Sequence, residues 1–181
     1  MPEIFVPQSP SLKKTTPKIH NFSAGPAILP REVIEEAAEA VLSLNGSGLS
    51  VLEVSHRSKD IVAVETEATS LVKELLGLGD KYEVIWVSGG ASSQFFTVAM
   101  NFLGDGESAS YVDTGTWSAK AIDAAKQFGT INVLASSKAT NYDHIPRDWK
   151  VPSTDQYIHI TSNNTIYGTQ YQNFFGSPIP I

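Results

Sequence analysis

At 181 residues the chain is long enough for a substantial core, and 41% hydrophobic against 18% charged residues suits a globular rather than a disordered protein. A formal net charge of -6 argues against a nucleic-acid-binding surface, and the absence of cysteine excludes disulfides, zinc–thiolate sites and thiol nucleophiles. No apolar run approaches the length that spans a bilayer, and the start lacks the continuous apolar core of a secretory signal, so no membrane partner and a cytoplasmic location are expected.

The first 18 residues carry prolines at Pro2, Pro7, Pro10 and Pro17 and read as a mobile tail or exposed arm. Asn21 to Pro30, NFSAGPAILP, is an extended lead-in loop, because Gly25-Pro26 and Pro30 forbid regular structure. Pro30 suits the first position of a helix whose apolar face is Val33, Ile34, Ala37, Ala38, Val41 and Leu42. Asn45-Gly46-Ser47-Gly48 stops that helix. Val51 to Ser58 is an extended or loop segment leading to a second helix, whose buried stripe is Ile61, Val64, Ala68, Leu71, Val72 and Leu75. Between these elements His56-Arg57 is either an anion grip of imidazole and guanidinium or a solvated pair capping the next helix.

Val84–Val87 is a short apolar run that reads as a buried parallel strand. Ser88-Gly89-Gly90 breaks it, and Ala91-Ser92-Ser93-Gln94 opens a helix that runs to about Phe102. A strand passing through glycines into a helix start points free N–H groups outward, a site for a phosphate-sized anion; the alternative is an ordinary turn. Further strands are expected at Ala109–Val112, Ile131–Leu134 and Gln156–Ile160, with a helix from about Ser118 to Phe128 and a polar loop from Asn141 to Ser153. Alternating strands and helices imply an α/β fold, a mainly parallel sheet with helices on both faces. Ligands bind beyond the carboxyl ends of such strands, and three polar clusters fall there: Gly89–Ser93, Asp113–Trp117 and Thr161–Thr165.

NFSAGPAILP, VLEVSHRS, SGGASSQF, YVDTGTWS and SNNTIYG stand in one order along the chain. Together they resemble the phosphoserine aminotransferases, class V members of the fold type I enzymes that use pyridoxal 5'-phosphate. The resemblance runs from Asn21 to the C-terminus. It implies an extension at residues 1–20 followed, at 21–181, by an incomplete large domain of a pyridoxal-phosphate-dependent aminotransferase. By the same resemblance Ala91 and Ser92 hold the cofactor phosphate, Trp117 stacks on the pyridine ring and Thr165 hydrogen-bonds the cofactor. Arg57, helped by His56, binds an anionic group of the substrate. For Trp117 the alternative is a core aromatic, and for Thr165 a loop hydroxyl tied to backbone.

The implied reaction moves an amino group between phosphoserine or glutamate and 3-phosphohydroxypyruvate or 2-oxoglutarate, in serine biosynthesis. A homodimer with sites near the subunit interface goes with it. The family's Schiff-base lysine, its neighbouring glutamine and the aspartate facing the pyridine nitrogen have no matching positions here, and lysines such as Lys120 and Lys138 stand elsewhere. No catalytic residue and no metal ligand is therefore expected within these 181 residues, and the chain alone is expected to be inactive. Two other readings remain: a non-catalytic binding or assembly module with the same fold, and another class V enzyme such as a serine–glyoxylate transaminase or a cysteine desulfurase. The HRS and DTGTW stretches speak against the latter two enzymes.

Overall fold

The structure, a computed structural model, describes residues 19–181. The expected extension at 1–20 therefore lies, up to residue 18, outside the described residues. The chain divides into two compact units, one ending at Gly79 and one running from Asp80 to Ile181.

In the first unit α1 spans Arg31–Leu42, with Pro30 one place earlier than expected, at the N-cap. An exposed pair, Arg31 Nε to Glu35 Oε1 at 2.7 Å, lies along its first turn. The chain then turns through a 3-10 helix, Leu44–Gly46, where Asn45 adopts φ 49. That left-handed geometry is one asparagine tolerates better than most residues. Val51 N–H donates to Ala40 O at 2.9 Å and brings the loop back onto α1. The stretch Val51–Ser58 is a series of turns, after which α2 runs from Lys59 to Leu75. Ser58 Oγ accepts the Ile61 N–H at 3.3 Å and so caps α2 itself, a task that His56 and Arg57 do not share.

The stripe expected to be buried on α2 is not. Leu71 and Leu75 are 47% and 83% exposed, and Leu44 is the sole buried side chain among the described residues of this unit. An amphipathic pattern states that a face needs covering; it does not supply the cover. The same holds for Val33, Ile34 and Leu42 on α1.

The second unit is built on strand β1, Ser108–Asp113, which lies parallel to β2, Thr130–Ser136, on one side and β3, Ile158–His159, on the other. Helix α3, Gly90–Phe102, packs on α4, Thr116–Ala125, and α4 on β1. A parallel sheet layered with helices is the α/β class expected. Ala109 and Tyr111 of β1, Ala99 of α3, Ala121, Ile122 and Ala125 of α4, and Tyr157 form the buried core. Phe95, Val98, Leu103, Phe128 and Ile131 flank it. Alanines at four of these positions let helix and sheet backbones approach closely.

Val84–Val87 is not a strand: no ladder partner pairs it among the described residues, and Ile85 and Val87 are 76% and 61% exposed. An apolar β-branched run records a preference for a buried ladder, but the strand forms only where a neighbour offers donors and acceptors. Beyond β3 the chain makes a hairpin that the sequence reading missed, β4 at Asn163–Asn164 against β5 at Thr169–Gln170.

Asp155, buried just before β3, ties the sheet together. It accepts from Ser108 Oγ at 2.5 Å, from Ser110 Oγ, and from Asn132 Nδ2 at 3.1 Å, thereby joining β1, β2 and the approach to β3. Burial pushes its carboxyl up, but the two hydroxyls and the amide together outweigh that and hold it below the usual carboxylate range.

His159 stacks on Tyr111, ring centroids 4.9 Å apart, and its Nδ1 is buried without a hydrogen-bond partner. Burial lowers its pKa to about 4, against roughly 6.5 for a free imidazole. The unfolded chain thus takes up the proton first. Stability from this group is complete above about pH 6.5, declines as the pH falls towards about 4, and changes no further below. Denaturant midpoints at pH 7 and pH 4.5 should therefore differ more in the parent than in a His159→Phe variant; identical pH dependence in the two would contradict this.

Candidate functional site

The carboxyl end of β1 delivers Asp113, itself buried, into a cluster of hydroxyls. Its Oδ1 accepts from Ser118 Oγ at 3.0 Å, and its Oδ2 from Ser136 Oγ at 2.7 Å and Tyr142 OH at 3.3 Å. Ser136 comes into reach because the β1–β2 register shifts: Tyr111 pairs with Val133 but Val112 pairs with Ala135. Leu134 is the extra residue, and such a bulge re-aims the side chains that follow it. The Tyr142 hydroxyl is pushed up by burial first and by the Asp113 carboxylate second.

Ser118 sits at the third position of α4 and acts on both sides of the turn. Its Oγ accepts the Thr114 N–H at 2.8 Å and the Gly115 N–H at 2.9 Å, and its one proton faces two acceptors, Gly115 O at 2.8 Å and Asp113 Oδ1 at 3.0 Å. The strand-to-helix turn is thus held by one hydroxyl, since Gly115, at the N-cap, has no side chain to contribute.

The turn places Trp117 in the first turn of α4, half-buried, with Nε1 donating to Thr165 Oγ1 at 3.0 Å. Lys120 Nζ stands 5.0 Å from the centroid of the Trp117 ring. Two of the six residues predicted for the site therefore touch directly, across 48 residues of sequence. Thr165 belongs to the hairpin loop, and its neighbour Asn164 is fully buried, with Nδ2 donating to Thr114 Oγ1 at 2.9 Å.

Ala91 and Ser92 lie exposed in the first turn of α3 in the same unit. Gly89 and Gly90 before them have φ +96 and +63, a conformation that suits glycine. No side chain caps this helix, and Ser93 Oγ is turned back to Gly90 O at 2.7 Å. The first-turn amides of α3 thus have no side-chain acceptor among the described residues, the arrangement that accepts an anion. A side chain at Gly89 would press on Ser93, its Cβ 3.1 Å from Ser93 Cβ.

His56 and Arg57 belong to the first unit. Both side chains are exposed, in the turn before α2, where Arg57 N–H donates to Ser55 Oγ at 3.2 Å.

Compared with known families, residues 19–174 match the class-V aminotransferases. The chain belongs to the class-V aminotransferase family. Among proteins similar to this class-V chain is the phosphoserine aminotransferase of Flavobacterium psychrophilum, 54% identical over 165 residues, which are 91% of this chain and 46% of the relative. The solved phosphoserine aminotransferase of Bacillus circulans subsp. alkalophilus superimposes with a TM-score of 0.79 at 43% identity, over 85% of this chain and 43% of that one. The enzyme of Trichomonas vaginalis, solved with pyridoxal phosphate bound, gives 0.81 at 37% identity, over 90% and 49%. The chain spans about half the length of the relatives it matches.

The sequence reading placed Asn164 and Ser118 within motifs but gave neither a role, and the bulge at Leu134 had no part in it. A serine three places after a strand-ending glycine was a usable signal for the turn; the 50-residue reach of Asn164 left none. Ser118→Ala should lower unfolding stability by about 1–3 kcal/mol, because two buried N–H groups lose their acceptor. Urea denaturation measures it, and an unchanged midpoint would show that the turn holds itself.

Proposed function

We propose that the protein carrying this chain is a phosphoserine:2-oxoglutarate aminotransferase that uses pyridoxal phosphate, acts on phosphoserine, glutamate and 2-oxoglutarate, and works as a homodimer in the cytoplasm. The observation that carries this reading is the convergence of Trp117 and Thr165 in a chain 54% identical to a phosphoserine aminotransferase over 91% of its length. Among the described residues no helix is long and apolar enough to cross a membrane, and no cluster of His, Asp or Glu is placed to hold a metal ion.

The residues present fit the cofactor chemically. An uncapped helix start with small residues before and within it, and with Ala91 and Ser92 exposed, accommodates a phosphate with backbone N–H donors. An indole offers a flat apolar face to a conjugated ring. Because Lys120 meets one face of Trp117, a planar ring would use the other. Thr165 Oγ1 already accepts from Trp117, so its own proton remains available to a ligand oxygen. When bound, pyridoxal phosphate supplies the electron sink that lets the α-proton of an amino acid leave. Arg57, with His56, would take a carboxylate or phosphate of the substrate through charge-assisted hydrogen bonds.

The assay is release of glutamate from phosphoserine and 2-oxoglutarate by the full-length protein, with light scattering alongside for the dimer. Arg57→Ala should raise KM for the anionic substrates by about tenfold or more, the loss of one charge-assisted contact worth about 1.5–3 kcal/mol, with cofactor content unchanged. Turnover of serine with glyoxylate in place of phosphoserine, or an unchanged KM in Arg57→Ala, would overturn the corresponding part of the reading.

A further inference from the structure

Trp117 and Thr165 are joined at the surface, and beneath them a second link joins the same two segments. Thr114, three residues before Trp117, receives Asn164 Nδ2 at 2.9 Å; Asn164 is the residue before Thr165 and is 0% exposed. Asn164 ends β4 with its side chain buried, and the next residue, Thr165, opens the hairpin loop and meets Trp117 at the surface. The far end of the link is fixed as well, because the Thr114 N–H is held by Ser118 Oγ at 2.8 Å.

Gly115 makes room for the link. A Cβ there would overlap Asn164 Oδ1 and stand 2.8 Å from Asn164 Cγ and 3.1 Å from Tyr167 Cδ2. The carboxamide therefore fills the notch that the missing side chain leaves, and its Oδ1 lies buried with no hydrogen-bond partner among the described residues. Leaving a buried oxygen unmatched costs stability, so Asn164 is a poor choice as mere filler. Its one hydrogen bond fixes the hairpin loop against the β1–α4 turn.

We propose that Asn164 is a positioning residue: through Thr114, and seated in the notch at Gly115, it sets the Thr165 hydroxyl against the Trp117 indole and so presents the pair to the cofactor. This rests on the assignment of Trp117 and Thr165 to the cofactor, made in the preceding subsection. A hydroxyl on a loop is otherwise free to sample several positions, and a contact made from a fixed position loses less freedom on binding.

Two readouts separate the inference from that assignment. In cofactor-free protein with every tryptophan except Trp117 replaced by phenylalanine, acrylamide quenching reports how well the Trp117 indole is held. Asn164→Ala and Thr114→Val should each raise the quenching constant about twofold, whereas Thr114→Ser, which keeps the hydroxyl, should leave it at the parent value. In the otherwise unaltered protein the same two variants should raise the Kd for pyridoxal phosphate about five- to tenfold, and Thr114→Ser should not. Gly115→Ala should weaken binding similarly, and combining it with Asn164→Ala should add little further loss, because both changes break the same link. If Asn164→Ala fails to fold, the contrast between Thr114→Val and Thr114→Ser reads the same link. Parent-like quenching and parent-like Kd in both Asn164→Ala and Thr114→Val would overturn the proposal. Raised quenching in a protein whose parent form binds no pyridoxal phosphate would instead uphold the positioning and sink the assignment on which the cofactor reading stands.

Discussion

The hydroxyl of Ser118 is the constraint on which the candidate site depends. A buried parallel strand that turns at once into a helix leaves backbone N–H groups without partners, and here the N-cap is a glycine with no side chain to offer. Ser118 accepts two of those N–H groups and directs its own proton between Gly115 O and Asp113, so strand end, turn and first helical turn become one hydrogen-bonded unit. Everything that points outward from the turn inherits its position from this unit. Trp117 is one residue from Ser118, and Thr114 and Gly115 together receive Asn164.

The central strand is held at both ends in the same manner. At its start Asp155 gathers Ser108, Ser110 and Asn132; at its end Asp113 gathers Ser118, Ser136 and Tyr142. In both clusters neutral donors surround a buried carboxyl group, hydroxyls at Asp113 and hydroxyls with one amide at Asp155. Hydrogen bonds to an ionised acceptor are worth more than neutral ones and are directional, so such clusters fix register as well as adding stability. Between them the face of β1 is alanine and tyrosine, with Tyr111, Tyr157 and His159 in ring contact. The sheet end that carries the candidate site is thus rigid, as a site that must place a hydroxyl against an indole requires.

Local pattern made the helices legible. The apolar spacing in Val33–Leu42 and Ile61–Leu75 marks α1 and α2 to within about two residues, and the glycines at 104 and 106 mark the end of α3. Partnership was not legible. Val84–Val87 has the composition of a buried strand and no ladder neighbour among the described residues, while Leu71 and Leu75 have helical spacing and remain exposed. The β4–β5 hairpin was hidden for a related reason: its loop, Thr165 to Gly168, carries one glycine and no other strong turn signal. For the site, polarity marked the clusters Gly89–Ser93, Asp113–Trp117 and Thr161–Thr165, of which the last two follow strands and the first precedes α3 without one. Which atoms meet was fixed by side chains some 50 residues apart, and no local pattern encodes that.

The central claim is that the carboxyl end of β1 and the start of α3 hold a phosphorylated planar cofactor. A crystal structure of the protein with pyridoxal phosphate bound tests it most directly. The account predicts the phosphate at the amides of Ala91 and Ser92, the pyridine ring against the face of Trp117 away from Lys120, and the Thr165 hydroxyl donating to the cofactor. A ring seated elsewhere, with Trp117 and Thr165 bonded only to each other and the α3 amides facing solvent, would contradict it.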